Sequence, residues 1–143
     1  RTQGSFDPRA TWIFDGVGEN EKTGDFGFSL RGAAGAELDR ADVALGTPAH
    51  ALTVASATHL SAGYLTVSEE FYHLTSDING ENSPLVRADM VFFETPAGGA
   101  VFSTGSISWC DGLSHNHYDN NVARITGNVV ERFLEPQSFK VPD

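Results

Sequence analysis

The sequence predicts an α/β chain in which a helix packs on a sheet. Three observations carry that reading. Ala51-Leu52-Thr53-Val54-Ala55-Ser56-Ala57 is a short apolar run between chain breakers. Two aromatic-rich runs flank Thr95-Pro96-Ala97-Gly98-Gly99. A 3.6-residue apolar stripe closes the chain. Strands followed by one amphipathic helix fit either an α/β or an α+β arrangement.

The elements follow in chain order. Residues 1–36 hold Asp15-Gly16, Gly18, Gly24-Asp25, Gly27 and Gly32, with Trp12-Ile13-Phe14 and Phe26-Gly27-Phe28 as apolar islands. Such spacing predicts short strands or a folded loop packed on the domain, which itself occupies 37–143. Leu45-Gly46-Thr47-Pro48 breaks the chain, since proline fixes its own φ and disfavours helix in the residue before it. The run at 51–57 then reads as a buried strand. Tyr64, Val67, Phe71 and Leu74 have partly helical spacing, and Asn79 to Pro84 is a turn cluster. Ala88 to Glu94 and Ala100 to Trp109 read as the two strands of a hairpin. Asp119-Asn120 supplies N-cap residues for a helix whose stripe is Val122, Ile125, Val129 and Phe133, with Pro136 as its stop.

Composition narrows the function classes. A chain of 143 residues makes one domain, and at that length roughly two-thirds of the unfolded surface is buried. The 9 Lys+Arg against 19 Asp+Glu give a net charge of −10, which disfavours phosphate backbones and anionic lipids, so neither nucleic acid nor membrane is an expected partner. No apolar run approaches the ~20 residues of a spanning helix. The single Cys110 has no internal disulfide partner, which suits a reducing, cytoplasmic setting. The chain starts at Arg1 and its one methionine is Met90, so the expectation is a segment of a longer chain.

Three constellations could carry chemistry. Cys110 with His115 invites a thiol nucleophile, but Ser108-Trp109-Cys110-Asp111-Gly112 has no G-x-C-x-G elbow, and Asp111 opposes thiolate formation. His115-Asn116-His117 would put two imidazoles on one face of a strand and so toward a metal, or else forms a polar loop lining a pocket. Glu37 and Asp39, one residue apart beside Arg40, form either a paired-acid site or ion pairs with Arg40 or Arg31. Tyr64 and Tyr72 read as packing aromatics, and no phosphate-binding glycine motif is present.

A longer pattern joins these pieces. Arg87 to Pro96, Gly98 to Cys110, Leu113-Ser114-His115-Asn116, Asp119-Asn120-Asn121-Val122 and the final helix resemble the C-terminal region of the N,N-dimethylformamidase large-subunit family. Upstream, Gly32 to Arg40 and Leu45-Gly46-Thr47-Pro48 fit as well, so the likeness runs from about Trp12 to Phe133. The resemblance implies an amidohydrolase that splits the C–N bond of small N-substituted formamides, N,N-dimethylformamide giving dimethylamine and formate. It implies a glutamine-amidotransferase-like (flavodoxin-like) α/β fold without the amidotransferase cysteine. It implies a mononuclear iron held by two tyrosines and a glutamate that lie outside this segment, so that no metal ligand is assigned here and Tyr64 and Tyr72 are not borrowed. It further implies a small helical subunit and a second large subunit as partners. Glu37, in Gly35-x-Glu37-x-Asp39-Arg40, matches an acid placed near that iron, with His115 and Asn116 as pocket-lining polar residues. Asp111 departs from the small residue expected after the cysteine. The competing readings are a non-catalytic assembly or carbohydrate-binding module and a thiol hydrolase using Cys110.

Overall fold

A computed structural model describes residues 1–28, 32–66 and 77–142. Among them three strands, β1 (Leu52–Ala57), β2 (Ala88–Glu94) and β3 (Ala100–Ser103), form one sheet in the order β1-β2-β3. Both pairings are antiparallel. A single helical turn, α1 (Trp109–Gly112), precedes the long helix α2 (Asn121–Leu134). Sheet and helix thus coexist as expected, with antiparallel ladders in every pairing described.

β2 is central because its sequence fits burial on both sides. Ala88 through Phe92 and Glu94 are all buried, so the strand reads as a continuous apolar run interrupted by two acids. The register Phe92↔Phe102 and Val91↔Ser103 is set by the loop at 95–99, where Gly98 adopts φ +86 and the Thr95 amide donates to the Gly99 carbonyl at 2.8 Å. On the other side the β1 register slips between Thr53 and Ala55. This bulge frees the Val54 carbonyl to accept the Thr2 amide at 3.1 Å, which ties the N-terminus to the sheet edge.

The second strand of the hairpin is shorter than the sequence predicts. It ends at Ser103 because Gly105, at φ +72, turns the chain across the backbone of Asp89. Ser106 then pairs with Leu38 in an isolated antiparallel bridge, and Trp109 enters α1. Of the two alternatives for residues 1–28, short strands or a folded loop, the chain adopts no strand in this stretch. Gln3–Phe6 and Thr11–Phe14 are 3-10 turns, and Ile13 and Phe14 drop from the second into the core. The spacing predicted for Tyr64 to Leu74 falls mostly on 67–76, outside the described residues.

α2 behaves as its pattern dictates. The Asn120 side chain accepts the Ala123 amide at 2.9 Å, capping the helix, and Val122, Ile125 and Val129 are buried. They meet Ile13, Phe14, Val54, Met90, Phe92 and Trp109 in one cluster, which therefore draws on chain from both sides of residue 36. Removing a side chain such as Phe92 or Ile125 from water stabilises by about 1.5–3 kcal/mol each. Phe133, the last residue of the stripe, packs edge-on to Phe139, with ring centroids 5.5 Å apart. Phe139 also sits 5.8 Å from Phe92 and 6.3 Å from Trp12, so the tail after Pro136 folds back over the sheet. No described helix is long and apolar enough to cross a membrane.

Candidate functional site

The segment containing Glu37 has almost no regular structure, and buried groups from the sheet hold it in place. Asp89 stands in the middle of β2 with only 2% of its surface exposed. An isolated carboxylate there would be costly, and it is retained because three donors reach it. The Arg87 Nε lies at 2.8 Å, the Ser56 Oγ at 2.6 Å and the Ala41 amide at 2.9 Å. Arg87 in turn donates to the Ala41 carbonyl at 2.9 Å and the Pro84 carbonyl at 2.8 Å. The Asp89 amide donates to the Asp39 carbonyl at 2.8 Å. One acid and one arginine thus fix residues 39–41 against the sheet.

The other flank is held by Ser106, which is 5% exposed. Its hydroxyl donates to the Gly35 carbonyl at 2.6 Å and accepts the Gly35 amide at 3.0 Å and the Ser108 amide at 3.2 Å. Ala36 follows at φ +55, a left-handed conformation that a residue with a Cβ adopts only under constraint. Glu37 comes next, exposed, with no hydrogen bond or ion pair from its carboxylate to any described residue. Arg40 does not pair with Glu37 or Asp39, as one reading of the sequence expected. It turns forward to Asp42 at 3.0 Å, because Asp42 lies two residues on and accepts both Nε and Nη2. The Arg40 hydrogen bond, with the Ala44 amide behind it, holds the Asp42 carboxyl below its usual range. Arg31 lies outside the described residues.

His115 and Asn116 lie on a different loop. The His115 ring stacks on Phe26 with centroids 4.2 Å apart and 14° between planes. Asn116, His117 and Tyr118 all have positive φ, at 48°, 56° and 68°, so this is a left-handed turn and not a strand. The two imidazoles therefore lack the shared strand face that a metal site at this spacing would need. The turn is bracketed by Asn120, whose Nδ2 donates to the carbonyls of Leu113 at 3.1 Å and His115 at 2.7 Å, while Asn116 Nδ2 donates to the Asp119 carbonyl at 3.0 Å. No hydrogen bond or ion pair joins Glu37 to His115 or Asn116. Among the described residues no three His, Cys, Asp or Glu side chains are grouped so as to hold a metal ion. Cys110 is a free, exposed thiol.

Two clefts open beside these loops. One of about 680 Å³ runs along α2 past Tyr118, Asp119, Arg124, Asn128 and Glu131. The other, of about 450 Å³, is floored by Ala55, Ala57, Ala88, Met90 and Trp109. Glu37, His115 and Asn116 line neither. The sequence reading missed Asp89, Arg87 and Ser106. Its available signals were a lone acid inside an apolar strand and a Gly-Ser step near the end of a supposed one.

Comparison with known proteins places this arrangement in a family. The chain is 45% identical over 133 residues to the N,N-dimethylformamidase beta subunit of Paracoccus aminophilus, and 43% identical over 133 residues to that of an Alcaligenes species. Both alignments cover 93% of this chain but 18% of the relative, so the chain spans under a fifth of the length of the proteins it matches. Residues 2–120 match the family described as N,N-dimethylformamidase beta subunit-like, C-terminal, and the chain belongs to that family.

Proposed function

We propose that this chain serves as the C-terminal part of an amidohydrolase beta subunit acting on small N-substituted formamides. In this reading N,N-dimethylformamide gives dimethylamine and formate. The observation that carries it is 43–45% identity, over 93% of the chain, to two subunits named for that activity. The larger domain to which the segment belongs would have the glutamine-amidotransferase-like α/β fold, with residues 1–36 packed against 37–143. The partners would be a small helical subunit and a second large subunit, and the setting cytoplasmic.

Tyr118 is 68% exposed on the left-handed turn, and among the described residues no three His, Cys, Asp or Glu side chains are grouped as metal ligands. The metal would be held by residues outside this chain. What this chain contributes is Glu37. An exposed carboxylate with no partner among the described residues is free to accept a proton from an attacking water and to deliver one to the departing amine. A neutral formamide needs no electrostatic attraction, so an overall charge of −10 does not oppose its entry. His115, whose ring is braced on Phe26, and Asn116 would border the pocket once the rest of the subunit closes it.

The test is amine and formate release by the native full-length protein. Glu37→Gln is expected to lower kcat by about 10²-fold or more, the scale of a positioned acid–base group, with the fold intact. Full activity in Glu37→Gln would remove Glu37 from the reaction. Full activity in Cys110→Ser is expected, and its loss would favour the thiol hydrolase instead.

A further inference from the structure

The backbone on both sides of Glu37 is pinned by buried groups, yet the Glu37 carboxylate makes no hydrogen bond or ion pair with any described residue. Upstream, the Ser106 hydroxyl uses its donor and two acceptor positions on main chain, at Gly35 O, Gly35 N and Ser108 N, at 2.6, 3.0 and 3.2 Å. Downstream, Leu38 forms the bridge to Ser106, and the Asp39 amide donates to the Gly105 carbonyl at 2.8 Å. Between these two fixed points Ala36 is driven to φ +55. Backbone strain of this kind persists only where the surroundings over-determine it. A hydroxyl that binds both the N–H and the C=O of one residue sets the orientation of the flanking peptides, and those peptides determine where the next side chain leaves the surface. The order imposed here converges on an exposed acid that bonds no described residue.

We propose that Ser106 is a positioning residue: its clasp on Gly35, with the left-handed turn at Ala36 that follows, holds the Glu37 carboxylate where the reaction uses it. This rests on the reading of Glu37 given above. Displacing a reacting group by about 1 Å costs up to about 10²-fold in rate, so even a small loosening of residue 35 is measurable. Loosening lowers the fraction of correctly placed carboxylate, and therefore kcat. It leaves binding of the neutral substrate, and therefore KM, unchanged.

The experiment is a double-mutant cycle in the native full-length protein with its co-purifying subunits and metal, following formate release from N,N-dimethylformamide. Ser106→Ala is expected to lower kcat about tenfold with KM within about twofold, and to add nothing to Glu37→Gln. Ser106→Ala also strips bonds from a buried peptide, so Ala36→Gly provides the second arm. Glycine relaxes the left-handed residue, so the protein keeps its melting temperature while kcat falls several-fold, again only when Glu37 is present. Losses that multiply with Glu37→Gln would overturn the proposal. So would wild-type kcat in Ala36→Gly together with a Ser106→Ala effect confined to melting temperature. Full activity in Glu37→Gln would overturn the reading of Glu37 itself and the inference with it. An impaired Glu37→Gln beside fully active Ser106→Ala and Ala36→Gly would overturn the inference alone.

Discussion

The Asn121 side-chain amide donates to the Glu21 carboxylate at 2.6 Å, joining residues 100 positions apart. The same Nδ2 donates to the Lys22 carbonyl at 2.9 Å, and Oδ1 accepts the Gly24 amide at 2.9 Å. One buried side chain at the start of α2 thus holds the turn at 21–24 onto the helix.

Asn121→Ala removes all three bonds and leaves the buried Gly24 amide without its acceptor. An unsatisfied buried donor costs about 1–3 kcal/mol, and the expected loss in urea-unfolding free energy is about 2–3 kcal/mol. Glu21→Gln keeps a neutral acceptor on an exposed side chain, and its effect is expected to be much smaller. Equal losses from the two variants would show that the Asn121 bond to Glu21, and not the burial of Gly24, dominates.

Acid should weaken the fold through two carboxylates. The Asn121 hydrogen bond, reinforced by the Gly18 amide, holds Glu21 below the usual 4.5, and the Arg40 hydrogen bond holds Asp42 below the usual 3.8. A depressed folded pKa means that the unfolded chain binds more protons in the window beneath the ordinary value. Stability from these groups is therefore complete above about pH 4.5, and is lost as pH falls through their lower folded values. Chemical denaturation at pH 6, 4.5 and 3 should show a drop confined to the lower interval. Glu21→Gln and Asp42→Asn should flatten it.

Asp89 and Arg87 should be among the most sensitive polar positions. Asp89→Ala leaves the Arg87 Nε and the Ala41 amide without their acceptor, while Arg87 keeps its bonds to the Pro84 and Ala41 carbonyls, and the expected cost is about 1–3 kcal/mol. The exposed pair of Lys22 and Asp25, at 3.5 Å with side chains 82% and 67% exposed, is expected to give under about 0.5 kcal/mol on Lys22→Ala. Denaturant midpoints of both variants check the contrast.

Two glycines should respond in opposite directions. Gly105 sits at φ +72 with the Asp89 backbone where a Cβ would go, so Gly105→Ala should cost several kcal/mol, on the order of other severe backbone clashes. Gly127, inside α2, has open space on the side where an alanine methyl would project, with nothing within 4 Å. Gly127→Ala should therefore stabilise by about 0.5–1 kcal/mol. Thermal melts of the two proteins are sufficient to decide.

How much was legible in the sequence depends on the range of the interaction that decides each element. β2 was readable to the residue from Ala88 to Glu94, and α2 from its Asn120 cap and its stripe, because propensity, capping and periodicity act within a few positions. Family membership was readable for a related reason, since the pattern from about Trp12 to Phe133 is a property of the chain itself. Ser103 as the end of β3 was not readable: the turn at Gly105 is fixed by its seat on the Asp89 backbone, which no local pattern announces. His115, Asn116 and His117 were recognisable as polar loop residues, but their left-handed turn depends on Asn120 reaching back to two carbonyls. Glu37 divides in the same way. Its place in Gly35-x-Glu37-x-Asp39-Arg40 is written in the local order of residues, whereas the way it is held emerges only once the chain has folded. The hydroxyl that grips Gly35 comes from Ser106, 71 residues away, and an isolated stretch of chain has no means of fixing a contact across that distance.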